Sequence, residues 1–149
     1  MHIIKDGELI HNTWEYIADH HPLIAGNITI SLQRWQNYQA DCLQHQGQLG
    51  IRLQSTDHCN SLSNELAKFS LIELEFPRFA DGRLFSLAKL LRSRYAYAGE
   101  IRAIGHYLTD QVFYLSQVGV NSFAFDTLKQ AELALTALQD FSVSYQSND

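Results

Sequence analysis

A chain of 149 residues with 46% apolar and 18% charged residues is sized for one folded domain, and its composition excludes a disordered or low-complexity segment. A formal net charge of -5 works against nucleic acid or an anionic membrane as partner, since both are recognised first by neutralising phosphates. No segment approaches the ~20 apolar residues that span a bilayer, and Met1 to Leu9 lacks the basic and apolar blocks of a secretion signal, so the expected setting is the cytoplasm, with Cys42 and Cys59 as reduced thiols.

Residues 1–27 are the least regular. Met1 to Ile4 and Leu9 to Ile10 read as short strands and Trp14 as a local anchor, but His20, His21 and Pro22 break any periodicity, so an irregular arm or a cover over the core is expected. From Asn27 the text becomes rhythmic. Ile28 to Ile30 reads as a strand, and Ser31 as the cap of a helix from Leu32 to about His45. Gly50 to Leu53 is a second strand of this series, followed by a helix capped at Thr56 or Asp57 and ending near Phe69.

Leu71 to Phe76 is a strand closed by Pro77, which cannot donate a ladder hydrogen bond. Asp81 and Gly82 form a turn, and Leu84, Leu87, Ala88 and Leu91 then line one side of a helix. Ile101 to Ile104 is the next strand. A helix from Leu108 or Thr109 through Ser116 stops at Gly119, Ser122 to Phe125 is a strand, and Asp126 or Thr127 caps a helix, Thr127 and Gln130 matching a capping box, with a stripe of Leu128, Ala131, Leu135 and Leu138. Residues 141–149 read as a polar tail with one last short strand at Ser142 to Tyr145.

Strands every 20 to 25 residues with helices between them specify a single α/β domain with a mainly parallel sheet. A doubly wound order is the first expectation and an incomplete (βα) barrel the second. The second is raised by Leu71 to Phe76, where Glu73 and Glu75 alternate with Ile72, Leu74 and Phe76. A central strand covered by helices on both sides is nearly all apolar, so these glutamates mean an edge strand or a polar interior. Arg102 on the following strand is their expected partner.

Ligands of parallel sheets gather beyond the carboxyl ends of the strands. Arg78, Asp81, Gly82 and Arg83 follow one such end, with a helix amino terminus near Ser86, and Gly105, His106 and Asp110 follow another. The first group can hold a small anion. His106 with Asp110 can act in proton transfer or stand as an exposed loop residue beside a first-turn acid. The set Arg78, Arg83, Arg92 and Arg94 reads as a solvated helix face. Neither a dinucleotide-binding glycine pattern nor a phosphate loop is present, and no cofactor is indicated. Cys42, His45, His58 and Cys59 can be written as four zinc ligands, but their placement favours buried thiols and surface imidazoles over a metal site.

The stretch F-P-R-F-A-D-G-R-L-F-S-L-A-K-L-L-R, then Y-A-G-E-I-R-A-I-G, Asp110-Gln111 and G-V-N-S-F resembles a bacterial family of uncharacterised small proteins found beside the assimilatory sulfite reductase haemoprotein. That family is labelled an oxidoreductase of sulfite reduction or a domain of unknown function. The likeness covers roughly Leu71 to Phe125; Lys89 stands where many relatives carry Arg, and Val120-Asn121 where Phe-Asp is usual. The resemblance implies an accessory protein whose partner is the sulfite reductase haemoprotein, which brings its own haem and cluster. Alternatively, it implies a small enzyme that binds an anionic sulfur metabolite through Arg83 and Arg102, with Asp81, Glu100 or His106 moving protons.

Overall fold

The computed structural model describes residues 1–78 and 82–147, with 141–147 as backbone alone. Eight strands form one sheet: β1 (His2–Lys5), β2 (Glu8–His11), β3 (Glu15–Tyr16), β4 (Ile28–Ser31), β5 (Leu49–Gln54), β6 (Leu71–Phe76), β7 (Glu100–Gly105) and β8 (Ser122–Phe125). Their order is β2-β1-β8-β7-β6-β5-β4-β3. From β3 to β8 the neighbours are parallel and in chain order, whereas β1 is antiparallel to both β8 and β2. Right-handed crossovers that always step in one direction put the intervening helices on one face. The domain is therefore α/β and mainly parallel, but the doubly wound order, which requires a reversal, gives way to a curled half-barrel.

The curl has a cause in chain length. β2 and β3 are the two outer strands, yet only Asn12, Thr13 and Trp14 separate them. Four residue steps reach about 14 Å, whereas seven inter-strand spacings in a flat sheet measure about 34 Å. The sheet must bend until its edges approach. The stretch expected as an irregular arm thus supplies both edges, and Asp6-Gly7, at φ 50° and 80°, turns the β1–β2 hairpin in the manner of an Asp-Gly type I′ turn.

The helices are α1 (Leu32–Asn37), α2 (Gln39–Gln44), α3 (Arg83–Ser93), α4 (Val112–Gln117) and α5 (Leu128–Ser147). Ser31 Oγ accepts from the Arg34 amide at 3.1 Å, and Thr127 Oγ1 from the Gln130 amide at 3.2 Å, as the capping pattern predicts. The single helix expected from Leu32 to His45 breaks at Tyr38, whose φ of -138° and ψ of 43° are not helical. The helix expected after Asp57 is replaced by two 3-10 turns, Asn60–Leu62 and Leu66–Lys68. Asp57 accepts from the amide of Gln54 behind it at 2.8 Å, so it closes a turn rather than opening a helix. At the other terminus α5 continues to Ser147 through the expected tail and strand. Among the described residues no helix is long and apolar enough to cross a membrane.

The two faces of the sheet differ sharply in chemistry. Toward the helices, Ile51, Leu53, Ile72, Leu74, Ile101 and Ala103 join Leu84, Ala88 and Leu91 of α3 in the main core. Intervening positions point into the concave side, where strand register sorts them into layers. One layer holds Ser31, Arg52, Glu73, Arg102, Ser122 and Lys5. Nearer the carboxyl ends, Gln54, Glu75 and Ile104 are in register, and Ile104 packs with Ala124, Ile3 and Ile10. Because β6 is central, its two glutamates mark a polar interior and not an edge.

On the helix side, Arg92 was expected on a solvated face and is instead a half-buried clamp. Its Nε donates to Gly119 O at 2.9 Å, and its Nη1 to Tyr97 O and Gly99 O, both at 2.7 Å. Gly119 has φ +108°, and a Cβ there would collide with the Arg92 side chain. Replacing Arg92 by Met leaves three carbonyls without their charged donor. Urea unfolding of Arg92→Met should show a loss of about 3 kcal/mol, and a loss under about 0.5 kcal/mol would mean that the clamp is not holding the α3–β7 and α4–β8 connections.

Candidate functional site

Pro77 ends β6 and Gly105 ends β7, and the segments that follow bring three of the expected site residues together. A cavity of about 560 Å³ is lined by Arg78, Gly82 and His106, with Phe76, Phe85 and Tyr107 as its aromatic wall. The Phe76 ring centroid lies 5.7 Å from that of Phe85 and 5.8 Å from that of Tyr107. The His106 amide donates to Phe76 O at 3.0 Å and so ties the two strand ends. Tyr107 is fixed as a donor: its hydroxyl bonds Ala124 O at 2.6 Å, and burial pushes its pKa far up.

Arg83 and Ser86 face a neighbouring cavity of about 960 Å³, shared with Gly82 and with Asp57, His58 and Cys59. Gly82 therefore stands between the two cavities. It is the N-cap residue of the 11-residue helix α3. Cys59 is a poor nucleophile in this setting, because burial, with Asp57 adding to it, pushes its thiol up to about 11.

The other expected residues lie elsewhere. Asp81 falls outside the described residues. Asp110 is exposed in the 3-10 turn Thr109–Gln111, and no hydrogen bond or ion pair among the described residues joins it to His106; the neighbouring Gln111 instead accepts from the Leu108 amide at 2.9 Å. Arg102 is 2% exposed on the concave face. Its Nη2 donates to Glu100 at 2.7 Å, its Nε to Ser122 Oγ at 2.9 Å and its Nη1 to Asn12 Oδ1 at 3.1 Å. Glu100 also pairs with Lys5 at 3.3 Å. Arg102 and Glu100 therefore hold each other and lie apart from the Arg78 cavity.

The register places Arg102 opposite Glu73, as expected, but Glu73 pairs with Arg52, whose Nε donates at 3.0 Å. Arg52 also carries its guanidinium 3.9 Å from the centroid of the Tyr16 ring. Neither Arg52 nor Asn12 was anticipated. The signal for Arg52 was present in L-G-I-R-L-Q, which alternates as L-I-E-L-E-F does; Asn12 carried none, because its role depends on where the link between β2 and β3 crosses. The His45 ring nitrogens lie 3.0 to 3.2 Å from the carbonyl oxygens of Cys42, Gly26 and Gln48. No group of three His, Cys, Asp or Glu able to hold a metal occurs among the described residues.

A family model described as bacterial protein of unknown function (DUF934) matches residues 50–149. The chain belongs to this family. The DUF934 match spans β5 to α5, hence both cavities and the Arg92 clamp, while residues 1–49 add the strands that complete the curl. A search of curated proteins returns no match.

Two outcomes follow from these environments. Iodoacetamide should alkylate Cys59 at about pH 8 roughly a hundredfold more slowly in the folded protein than in urea, read by mass spectrometry of the Cys59 peptide; equal rates would contradict the raised thiol. Burial pushes the Glu100 carboxyl up, but Arg102, Ser122 and Lys5 together outweigh it and hold it below its ordinary value of 4.5. Stability from this group is complete above that ordinary value and is lost as pH falls through the lowered value of the folded state. The drop in urea midpoint from about pH 5 to about pH 3 should be smaller for Glu100→Gln than for the wild type; an equal drop would remove Glu100 from the acid response.

Proposed function

We propose that this DUF934 member is an accessory protein of assimilatory sulfite reduction, acting with the reductase haemoprotein through the surface beyond β6 and β7. The support comes from how the residues that carry the sequence resemblance divide. Arg92, Glu100, Arg102 and Gly119 have structural work in clamps and ion pairs, while Ala88, Leu91 and Phe123 fill the core. Gly82, Arg83, Ser86 and Asp110 are exposed, and all four follow the carboxyl ends of β6 and β7. Exposed residues of a shared pattern, set on loops and helix starts of a rigid scaffold, fit a surface used for recognition. Leu108, 65% exposed and lining the same cavity as Gly82, adds an apolar contact of the kind that partner surfaces use.

The test is capture of the untagged haemoprotein by the full chain, with sulfite-reduction assays of the mixture. Wild type should form a complex and change the rate, and Arg83→Ala should weaken capture by about tenfold or more. No complex and no rate change would end this reading.

The cavity that brings Arg78, Gly82 and His106 together favours a second reading, a small enzyme binding an anionic sulfur metabolite. Its residues differ from those expected, since Arg102 and Glu100 are occupied with each other. Sulfite titration followed by amide NMR should then move Gly82 and His106, and mass and optical analysis of purified protein should reveal a bound flavin or anion. No response in either would leave the accessory role alone.

A further inference from the structure

The amino ends of the parallel strands lie at the opposite end of the sheet from the surface used in the function proposed above, so a site there is independent of that function. A cavity of about 500 Å³ opens at this end, a size that suits small molecules. Five successive parallel strands each give it the residue just before their first: Asn27 for β4, Gln48 for β5, Ser70 for β6, Gly99 for β7 and Asn121 for β8. Thr13 and Trp14 of the β2–β3 link line it as well. The main chain at these positions is engaged. The Glu15 amide donates to Asn27 O at 3.0 Å, the Ile28 amide to Gln48 O at 3.1 Å, the Ser70 amide to Leu49 O at 2.9 Å and the Asn121 amide to Ile101 O at 3.1 Å.

The side chains, by contrast, are unspent. Those of Thr13, Asn27, Gln48 and Ser70 make no hydrogen bond among the described residues, and Asn121 uses only its Oδ1, which accepts from the Ile101 amide at 2.9 Å. The two tryptophans show the same contrast. Fully buried Trp35 donates from Nε1 to Glu65 at 2.7 Å, as buried indoles do. Trp14 is half-buried, yet among the described residues its Nε1 has no acceptor and its ring meets no other ring and no cation. The charged groups of the lining are already balanced: Lys5 Nζ lies 3.3 Å from Glu100 Oε1, and Glu100 Oε2 accepts from Arg102 at 2.7 Å.

We infer that this opening binds an uncharged polyhydroxylated molecule the size of a monosaccharide, with an apolar C–H face on the Trp14 ring and its hydroxyls on the Asn27, Gln48 and Asn121 side chains. Primary amides offer donors and an acceptor, and a hydroxyl is both at once, so the two match without a charge. An anion would meet Glu100 and a cation Lys5, each in competition with a pair already formed. A hydrocarbon would desolvate the amides without giving them a partner, which is costly. An uncharged polyol with one apolar face meets all three conditions.

The experiment is an NMR titration of the full chain with D-glucose, D-galactose and D-mannose, and with D-gluconate, D-glucosamine and cyclohexanol as anionic, cationic and apolar counterparts. At least one of the three sugars should shift the Trp14 indole N–H and the Asn27 and Gln48 side-chain amides while leaving the Trp35 indole in place. Each counterpart should bind about tenfold or more weakly than that sugar. Trp14→Leu should weaken sugar binding about tenfold. The double variant Asn27→Ala, Gln48→Ala removes side chains that have no partner to lose, should also weaken binding about tenfold, and decides the matter if Trp14→Leu fails to fold. No shift with any of the three sugars, a counterpart that binds as well as the sugar, or unchanged binding by either folded variant would overturn the assignment.

Discussion

Three residues, Asn12, Thr13 and Trp14, carry the chain from one outer strand of an eight-stranded sheet to the other. A flat sheet would place those strands farther apart than three residues can span, so the sheet curls. A curled sheet has an inside, which the strands' own side chains must line. Asn12 also enters that inside, accepting from Arg102 Nη1 at 3.1 Å and from the Trp14 amide at 3.0 Å. The link that forces the bend thus helps to satisfy a guanidinium within it.

Charges held in such an interior must be paired, because desolvating an isolated ion costs several kcal/mol. Each interior guanidinium meets a carboxylate, Arg52 with Glu73 and Arg102 with Glu100. These pairs add little net stability, since desolvation offsets much of their attraction. Net stability has to come from the opposite face, where aliphatic side chains of the strands bury against α3 and α5. The division of labour is between a dry core under the helices and an ionic layer inside the curl.

The same topology decides where function can sit. Without a reversal of strand order there is no crevice of the kind that a doubly wound sheet opens at its switch point. Strand ends of a singly wound half-barrel instead share one rim, and Gly82, Arg83, Ser86 and Asp110 are exposed in the segments that follow it. The Arg78–Gly82–His106 cavity lies outside the rim under α3, and the Glu75–Asp126 cavity lies inside it. His106 lines both, which makes the β7–α4 segment the shared wall between two chemically different spaces.

Much of the architecture was legible because it is local. Periodicity and punctuation located β4 to β8, the caps at Ser31 and Thr127 and the stop at Gly119, since hydrophobic pattern, capping and left-handed backbone depend on neighbours within a few residues. Asp57 misled because a carboxylate can bond forward to cap a helix or backward to close a turn, and composition does not distinguish them. Among site residues, Arg78, Gly82 and His106 line one cavity, whereas Arg102 lies apart, held by Glu100, Ser122 and Asn12. By itself the sequence determined the α/β alternation and the presence of charge on β6. Only the tertiary structure decided that this charge faces a half-barrel interior, because an edge and an inside give a strand the same alternation and differ only in what the rest of the chain places opposite it.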